Sequence, residues 1–315
     1  MGLEIKREIY GGELSRIKNA LLPIVAALGG MVVPGLIHLS FNAGTVTQSG
    51  FGIPMATDIA FSLGALSLLG NRVPLSLKVV LAALAIIDDL GAILVIAFFY
   101  VHEFSGFHFG IAIMIFAGLM ILNRLRVNNL FIYIIPGVVM WFFMLKSGVH
   151  ATIAGVLLAC AIPLRKGEES SLSYRVQHFL DRPVPLVILP LFALANTSIM
   201  FSPGWYFTFI DRNTAGILAG LILGKPLGIV IFSAIAVKIG MCRLPDDLSW
   251  RHMIGTGILG GIGLTMSIFI TNLAFLDGRL IQNSKIAILS ASAVAGMAGF
   301  LSLFRAKRSS APNGR

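Results

Sequence analysis

Long apolar runs separated by short polar connections dominate the chain, and within each run the apolar residues fill whole windows instead of alternating. Runs of about 17 to 25 residues suffice to cross a bilayer as helices. They fall at residues 19–41, 53–69, 75–100, 107–123, 130–145, 148–163, 184–200, 214–237, 254–276 and 284–304. Backbone groups in hydrocarbon must be satisfied within the protein, and runs this long without a period of two specify helices over a barrel. The pattern predicts an all-α polytopic membrane protein, a helical bundle of about ten spans at residues 19–304. Residues 1–18 precede the bundle, and residues 305–315 form a basic tail. The longest polar interruption, 164–183, carries charges of both signs and a closing proline, and reads as a connection between two halves.

Composition strengthens this picture: the 315 residues are 57% hydrophobic and 12% charged, against about 25% charged in a soluble domain. The basic residues alternate along the chain. Eighteen of the 24 Lys and Arg lie in one set of segments, four in the intervening loops (Lys146, Arg212, Arg279 and Lys285), and Lys78 and Lys225 in or beside spans. Because cytoplasmic loops collect Lys and Arg, this places both termini in the cytoplasm of a bacterial inner membrane and gives an even number of spans. The net charge of +10 is then mostly topological, with weak attraction to anionic lipid headgroups, and implies no nucleic-acid partner. Cys160 and Cys242 are isolated thiols that suggest neither a disulfide nor a metal site.

Two spans carry interruptions. One begins Gly52-Ile53-Pro54; the other holds Gly255, Gly257, Gly260, Gly261 and Gly263 ahead of Thr265. Glycine- or proline-interrupted spans at corresponding places in two halves point to a transport site between inverted-topology repeats, here near 19–100 and 214–304. Each break precedes a related string, Thr57-Asp58-Ile59-Ala60-Phe61 and Thr265-Met266-Ser267-Ile268-Phe269. If the two interrupted helices cross, opposite dipole ends meet, and Asp58 helps to balance the positive ones.

Only three of the fourteen acidic residues, Asp58, Asp88 and Asp89, fall inside spans. A central Asp opposes insertion by about 2.5 to 3.5 kcal/mol, so function is the default explanation. Asp88 and Asp89, about 100° apart on a helix, cannot share one direction. With Thr57 and freed backbone carbonyls they supply oxygen ligands for a hard cation such as Na+ or Li+. Burial and a second carboxylate both disfavour ionisation, so such a pair can also hold a proton near neutral pH. Competition between proton and cation, with alternating access, is sufficient for exchange and needs no cofactor. Lys225, the basic residue well inside a span, needs a buried partner, and Asp88 is the expected one.

His150, near a span start, reads as a structural hydrogen-bonding residue. His178, beside Gln177 and Asp181, is either a group titrating near neutrality or a solvated surface residue. Glu4 and Glu8, one helical turn apart, either line an acidic funnel or are ordinary helix-end charges. An intramembrane aspartyl protease is disfavoured, because adjacent aspartates are poorly placed to share one water. The reading is of a carrier and not an enzyme, with a sodium-coupled symporter as the rival in the same architecture.

Several strings are specific: GLEIKRE at 2–8, IPMATDIAFSLG at 53–64, LAIIDDLGAI at 84–93, LKSGVHATIAGV at 145–156, PLFALAN at 190–196, GKPLGI at 224–229 and GIGLTMSIFI at 261–270. Together they closely resemble the NhaA family of sodium/proton antiporters, a standing example of inverted repeats, over almost the whole chain. The resemblance implies electrogenic, pH-regulated exchange of cytoplasmic Na+ or Li+ for external protons. It matches Asp88 and Asp89 to the family's essential aspartate pair and Thr57 and Asp58 to its interrupted-helix site. Lys225 matches the lysine opposite the aspartates, Glu4 and Glu8 the acids at the cytoplasmic funnel, and His150 a histidine linked to pH response. Two departures are expected to matter. The chain starts where the family's second helix ends, without the hairpin associated with dimerisation, so a homodimer and activity itself are open and a truncated, non-transporting member is an alternative. In the pH-sensing segment Gln177, His178 and Asp181 stand where the family often has an acid and two histidines.

Overall fold

The computed structural model describes residues 2–12, 17–101, 103–164, 171–197, 199 and 205–306. Most of the expected basic tail, and part of the 164–183 connection, lie outside them. The described residues are helical without a strand. In chain order the helices are α1 (Gly2–Tyr10), α2 (Ile17–Asn42), α3 (Ile59–Ser67), α4 (Leu75–Phe99), α5 (Gly106–Arg124), α6 (Leu130–Lys146), α7 (Thr152–Ala161), α8 (Leu172–Leu180), α9 (Leu189–Asn196), α10 (Arg212–Ala219), α11 (Lys225–Ile239), α12 (Trp250–Gly260), α13 (Leu264–Ala274) and α14 (Gly278–Arg305). Among the described residues, six continuous helical stretches are long and apolar enough to cross a membrane, and the pair α12 and α13, bent by 44°, makes a seventh when counted as one span. The apolar helices α6 and α7 are shorter. The segment expected at 53–69 is a 3-10 helix over Gln48–Met55, extended backbone at Ala56 to Asp58, and then α3.

Of the 164–183 connection, residues 172–180 form a helix. Leu172–Asn196 is one apolar stretch of 25 residues, with a π turn at Val184–Ile188 joining α8 to α9. Pro183 and Pro185 would end a regular helix because they lack the N–H; the widened turn accommodates them. α8 is amphipathic, burying Leu172, Ser173 and Gln177 while leaving His178 exposed.

The chain forms two compact units, Met1–Ser15 with Ile93–Pro190, and Arg16–Ala92 with Leu191–Arg315. The first has a core that includes Leu119, Tyr133, Met140 and Met144. Within it Lys6, one of the basic residues in the topological pattern, is buried. Its ammonium donates to the carbonyls of Ala159 (3.5 Å), Cys160 (2.7 Å) and Ile162 at the end of α7. The last carbonyls of a helix have no partner in the helix and carry its negative dipole end, so a cation is well placed there. Lys6→Met keeps the stem and deletes the donor, and is expected to destabilise this unit by about 1.5 to 3 kcal/mol. An unfolding titration in detergent, with Lys6→Arg recovering part of the loss, checks this.

In the second unit the core is built around Ala26, Leu77, Leu81, Ile229, Met253 and Leu259. α2 and α11 approach until backbones touch: a Cβ at Gly228 would lie 2.1 Å from the Gly29 carbonyl oxygen, and one at Gly29 2.2 Å from that of Gly228. Small residues permit such crossings between membrane helices. Ahead of α11 a π turn at Gly220–Gly224 precedes Pro226, and between them Lys225 is fully buried.

Candidate functional site

The two interrupted segments meet at their breaks and run in opposite directions. As residue numbers rise from 53 to 62 in one, those of their partners fall from 267 to 259 in the other. Ser267 Oγ donates to Ile53 O (2.7 Å), Asp58 N–H to Ile262 O (2.6 Å), and Ser62 Oγ to Leu259 O (3.0 Å). A broken helix exposes carbonyls on one side of the break and N–H groups on the other, and in an apolar surrounding each must find a partner. The serine hydroxyls meet carbonyls of the ending helices. Asp58 meets the N–H groups of the starting ones.

Asp58 is the N-cap of α3, with Oδ1 accepting from Phe61 N–H at 3.2 Å. Its Oδ2 accepts from Thr265 N–H (3.0 Å) and Thr265 Oγ1 (2.6 Å) in the first turn of α13. One buried carboxylate therefore lies on two helix N-termini, where a negative charge is favoured by both dipoles.

Beside this crossing, α4 presents its aspartates, both buried. Asp88 Oδ2 lies 2.5 Å from Lys225 Nζ, the pairing expected from the sequence, and accepts from Thr57 Oγ1 at 2.6 Å. Lys225 Nζ also donates to Thr57 Oγ1 (2.6 Å), which in turn is 2.9 Å from Gly260 O. A hydroxyl has one proton, so Thr57 accepts from Lys225 and shares its own proton between Asp88 and the last carbonyl of α12. Asp88 Oδ1 and Asp89 Oδ1 are buried and take no hydrogen bond. Apposed in this way, the groups offer carboxylate, hydroxyl and carbonyl oxygens at a helix break, the donor chemistry of a hard cation.

Thr57, Asp58, Asp88, Asp89 and Lys225 all belong to the second unit, whereas Glu4, Glu8, His150 and His178 belong to the first. Glu8 is 3.5 Å from Arg7 Nη2. His178 stacks on Tyr174 at 6.3 Å between ring centroids, with Asp181 at 3.9 Å. Sequence reasoning missed Ser62 and Ser267. Each is a hydroxyl within a turn or so of a break, a signal that could have been used.

Comparison with known proteins places these features in context. The family described as Na+/H+ antiporter 1 matches residues 1–303. The chain is similar to a Na(+)/H(+) antiporter NhaA of Dechloromonas aromatica, 59% identical over 305 residues, covering 96% of this chain and 78% of that protein. To one of Flavobacterium psychrophilum it is 59% identical over 303 residues, with 96% and 79% covered. To one of Escherichia coli it is 46% identical over 303 residues, with 95% and 78% covered.

Proposed function

The chain belongs to the Na+/H+ antiporter 1 family, and from that membership we propose how this multi-pass membrane protein acts as a sodium/proton antiporter. Asp88 and Asp89 are the groups that exchange proton for cation, with Thr57 and the carbonyls freed at the breaks completing the ligand set. The observation that carries this reading is the asymmetry of the pair. Asp88 is engaged by Lys225 and Thr57, whereas Asp89 Oδ1 is buried without a hydrogen bond. A buried carboxylate without a partner is costly when ionised, and either a proton or a cation relieves that cost.

In the proposed cycle, a cation arriving from the cytoplasm displaces the proton from Asp89 and the ammonium of Lys225 from Asp88, and access then switches to the other face. Lys225 holds Asp88 when the cation is absent and releases it when the cation binds. Freed from Asp88, Lys225 gives up a second proton beside the one from Asp89, so two protons exchange for one monovalent cation and the exchange is electrogenic. Li+, with the same preference for oxygen ligands, is carried as well. The activity is transport alone, with no covalent chemistry. The membrane is a bacterial inner membrane, with both termini cytoplasmic and a homodimer as the assembly. Glu4, Glu8, His150 and His178 contribute to the response to pH.

The test is proton release from energised everted vesicles on adding NaCl, in cells lacking other antiporters. A sodium-triggered signal that grows toward alkaline pH is expected, and LiCl should give the same. Sodium-dependent uptake of an organic solute without proton movement would overturn the assignment.

A further inference from the structure

His252, the third residue of α12, lies far along the chain from the aspartates and is buried. Ser249, the N-cap of α12, directs its backbone N–H at His252 Nδ1, 3.1 Å away, and its Oγ lies 3.1 Å from the same nitrogen. A backbone N–H can only donate, so Nδ1 must be unprotonated in this arrangement. The imidazole thus serves as the acceptor half of a capping box, the role that Glu or Gln takes in the common form. An imidazolium would lose that acceptor and add a positive charge to a helix end that is already positive.

α12 leads directly to the site. Gly257 packs on Pro226, with a would-be Cβ 3.0 Å from Pro226 Cα next to Lys225, and Gly260 O accepts from the Thr57 hydroxyl that engages Asp88. We propose that His252 is a positioning residue for the exchange reaction: neutral, it caps α12 and holds Gly260 against Thr57, and protonated, it releases the cap and slows transport. This rests on the antiport reading above. The basic-residue pattern puts this end of α12 on the cytoplasmic side, so the cap senses cytoplasmic acidity.

The charged surroundings of His252 are mixed. Asp247, in the preceding loop, acts on it directly, and its carboxylate is engaged by Ser76 Oγ. Among the helices packed on α12, α3 has no titratable side chain. α11 has Lys238 in its last turn, besides Lys225, which is held by Asp88. α14 ends in Arg305, antiparallel to α12 with Leu303 on Gly255, while its Arg279 and Lys285 lie in its first turns. Arg72 sits 4.3 Å over the Phe304 ring. Burial opposes the imidazolium and Asp247 favours it.

The experiment compares the parent, His252→Gln and His252→Leu in everted vesicles, whose bath titrates the cytoplasmic face, from about pH 5.5 to about pH 8.5. Glutamine accepts the same N–H without titrating. It should match the parent at alkaline pH and move half-maximal activity to lower pH by about half a unit or more. Leucine should be slower throughout. Superimposable profiles for parent and His252→Gln, with both transporting, overturn the proposal. If no variant transports, the antiport reading fails instead, and thermal melting of the purified proteins decides the cap. Acidification should then lower the parent's midpoint more than that of His252→Gln, and parallel shifts would overturn the cap as well.

Discussion

Asp89→Asn is expected to lower sodium-driven proton exchange by on the order of a hundredfold or more, equivalent to about 2.7 kcal/mol in the rate-limiting barrier, while leaving the fold intact. Asparagine has nearly the shape of aspartate but neither titrates nor offers a full negative charge to a cation. Because Asp89 Oδ1 takes no hydrogen bond from the protein, no native contact of that atom is lost. Replacing a buried carboxylate by a neutral group also removes a desolvation cost, so thermal stability should be unchanged or raised. Asp88→Asn should differ in kind, because it leaves the fully buried Lys225 without its counter-charge. Breaking such a pair typically costs about 3 to 5 kcal/mol. Transport and unfolding measured on both variants separate the roles. Undiminished exchange in Asp89→Asn would remove Asp89 from the proposed mechanism.

Much of this architecture was legible because a bilayer imposes a simple code. Apolar runs marked the helices, Gly52 and Pro54 lie just ahead of the break at Ala56 to Asp58, and glycines mark the one between Gly260 and Leu264. The few acids tolerated inside spans converged on one compact unit. What was hidden depends on partners remote in sequence. Ser267 reads as an ordinary small residue until Ile53 O, 214 positions away, is brought to it. Lys6 reads as a topological marker, yet its ammonium is taken up by carbonyls more than 150 positions on. The extension of the expected span at 184–200 back through 172–183 was hidden for another reason: its polar residues and the prolines mimic a loop, and the π turn that accommodates them leaves no mark in composition. His252 escaped notice because Ser-x-x-His is an uncommon form of the capping box.

Asp58→Ala is expected to cost more stability than an ordinary helix cap. Removing a single N-cap acceptor costs about 0.5 to 2 kcal/mol, with water usually available to replace it. Here the carboxylate serves Phe61 N–H, Thr265 N–H and Thr265 Oγ1 at once, at a crossing where Asp58 is only 4% exposed. Each buried donor left unmet costs about 1 to 3 kcal/mol. The loss for three, reduced by whatever water enters and by rotation of the threonine hydroxyl, should be about 3 to 5 kcal/mol. Asp58→Asn should fall between parent and alanine, since the amide can accept at one helix start but must turn its NH2 toward donors at the other. The two starts are coupled through this one side chain, so Thr265→Val in the Asp58→Ala background should cost much less than in the parent. A mixed-micelle unfolding titration of the four proteins measures that coupling. Additive losses, or an alanine variant within about 0.5 kcal/mol of the parent, the range of a neutral surface substitution, would mean that the crossing is held by its backbone and serine contacts and that Asp58 acts on transport by its charge alone.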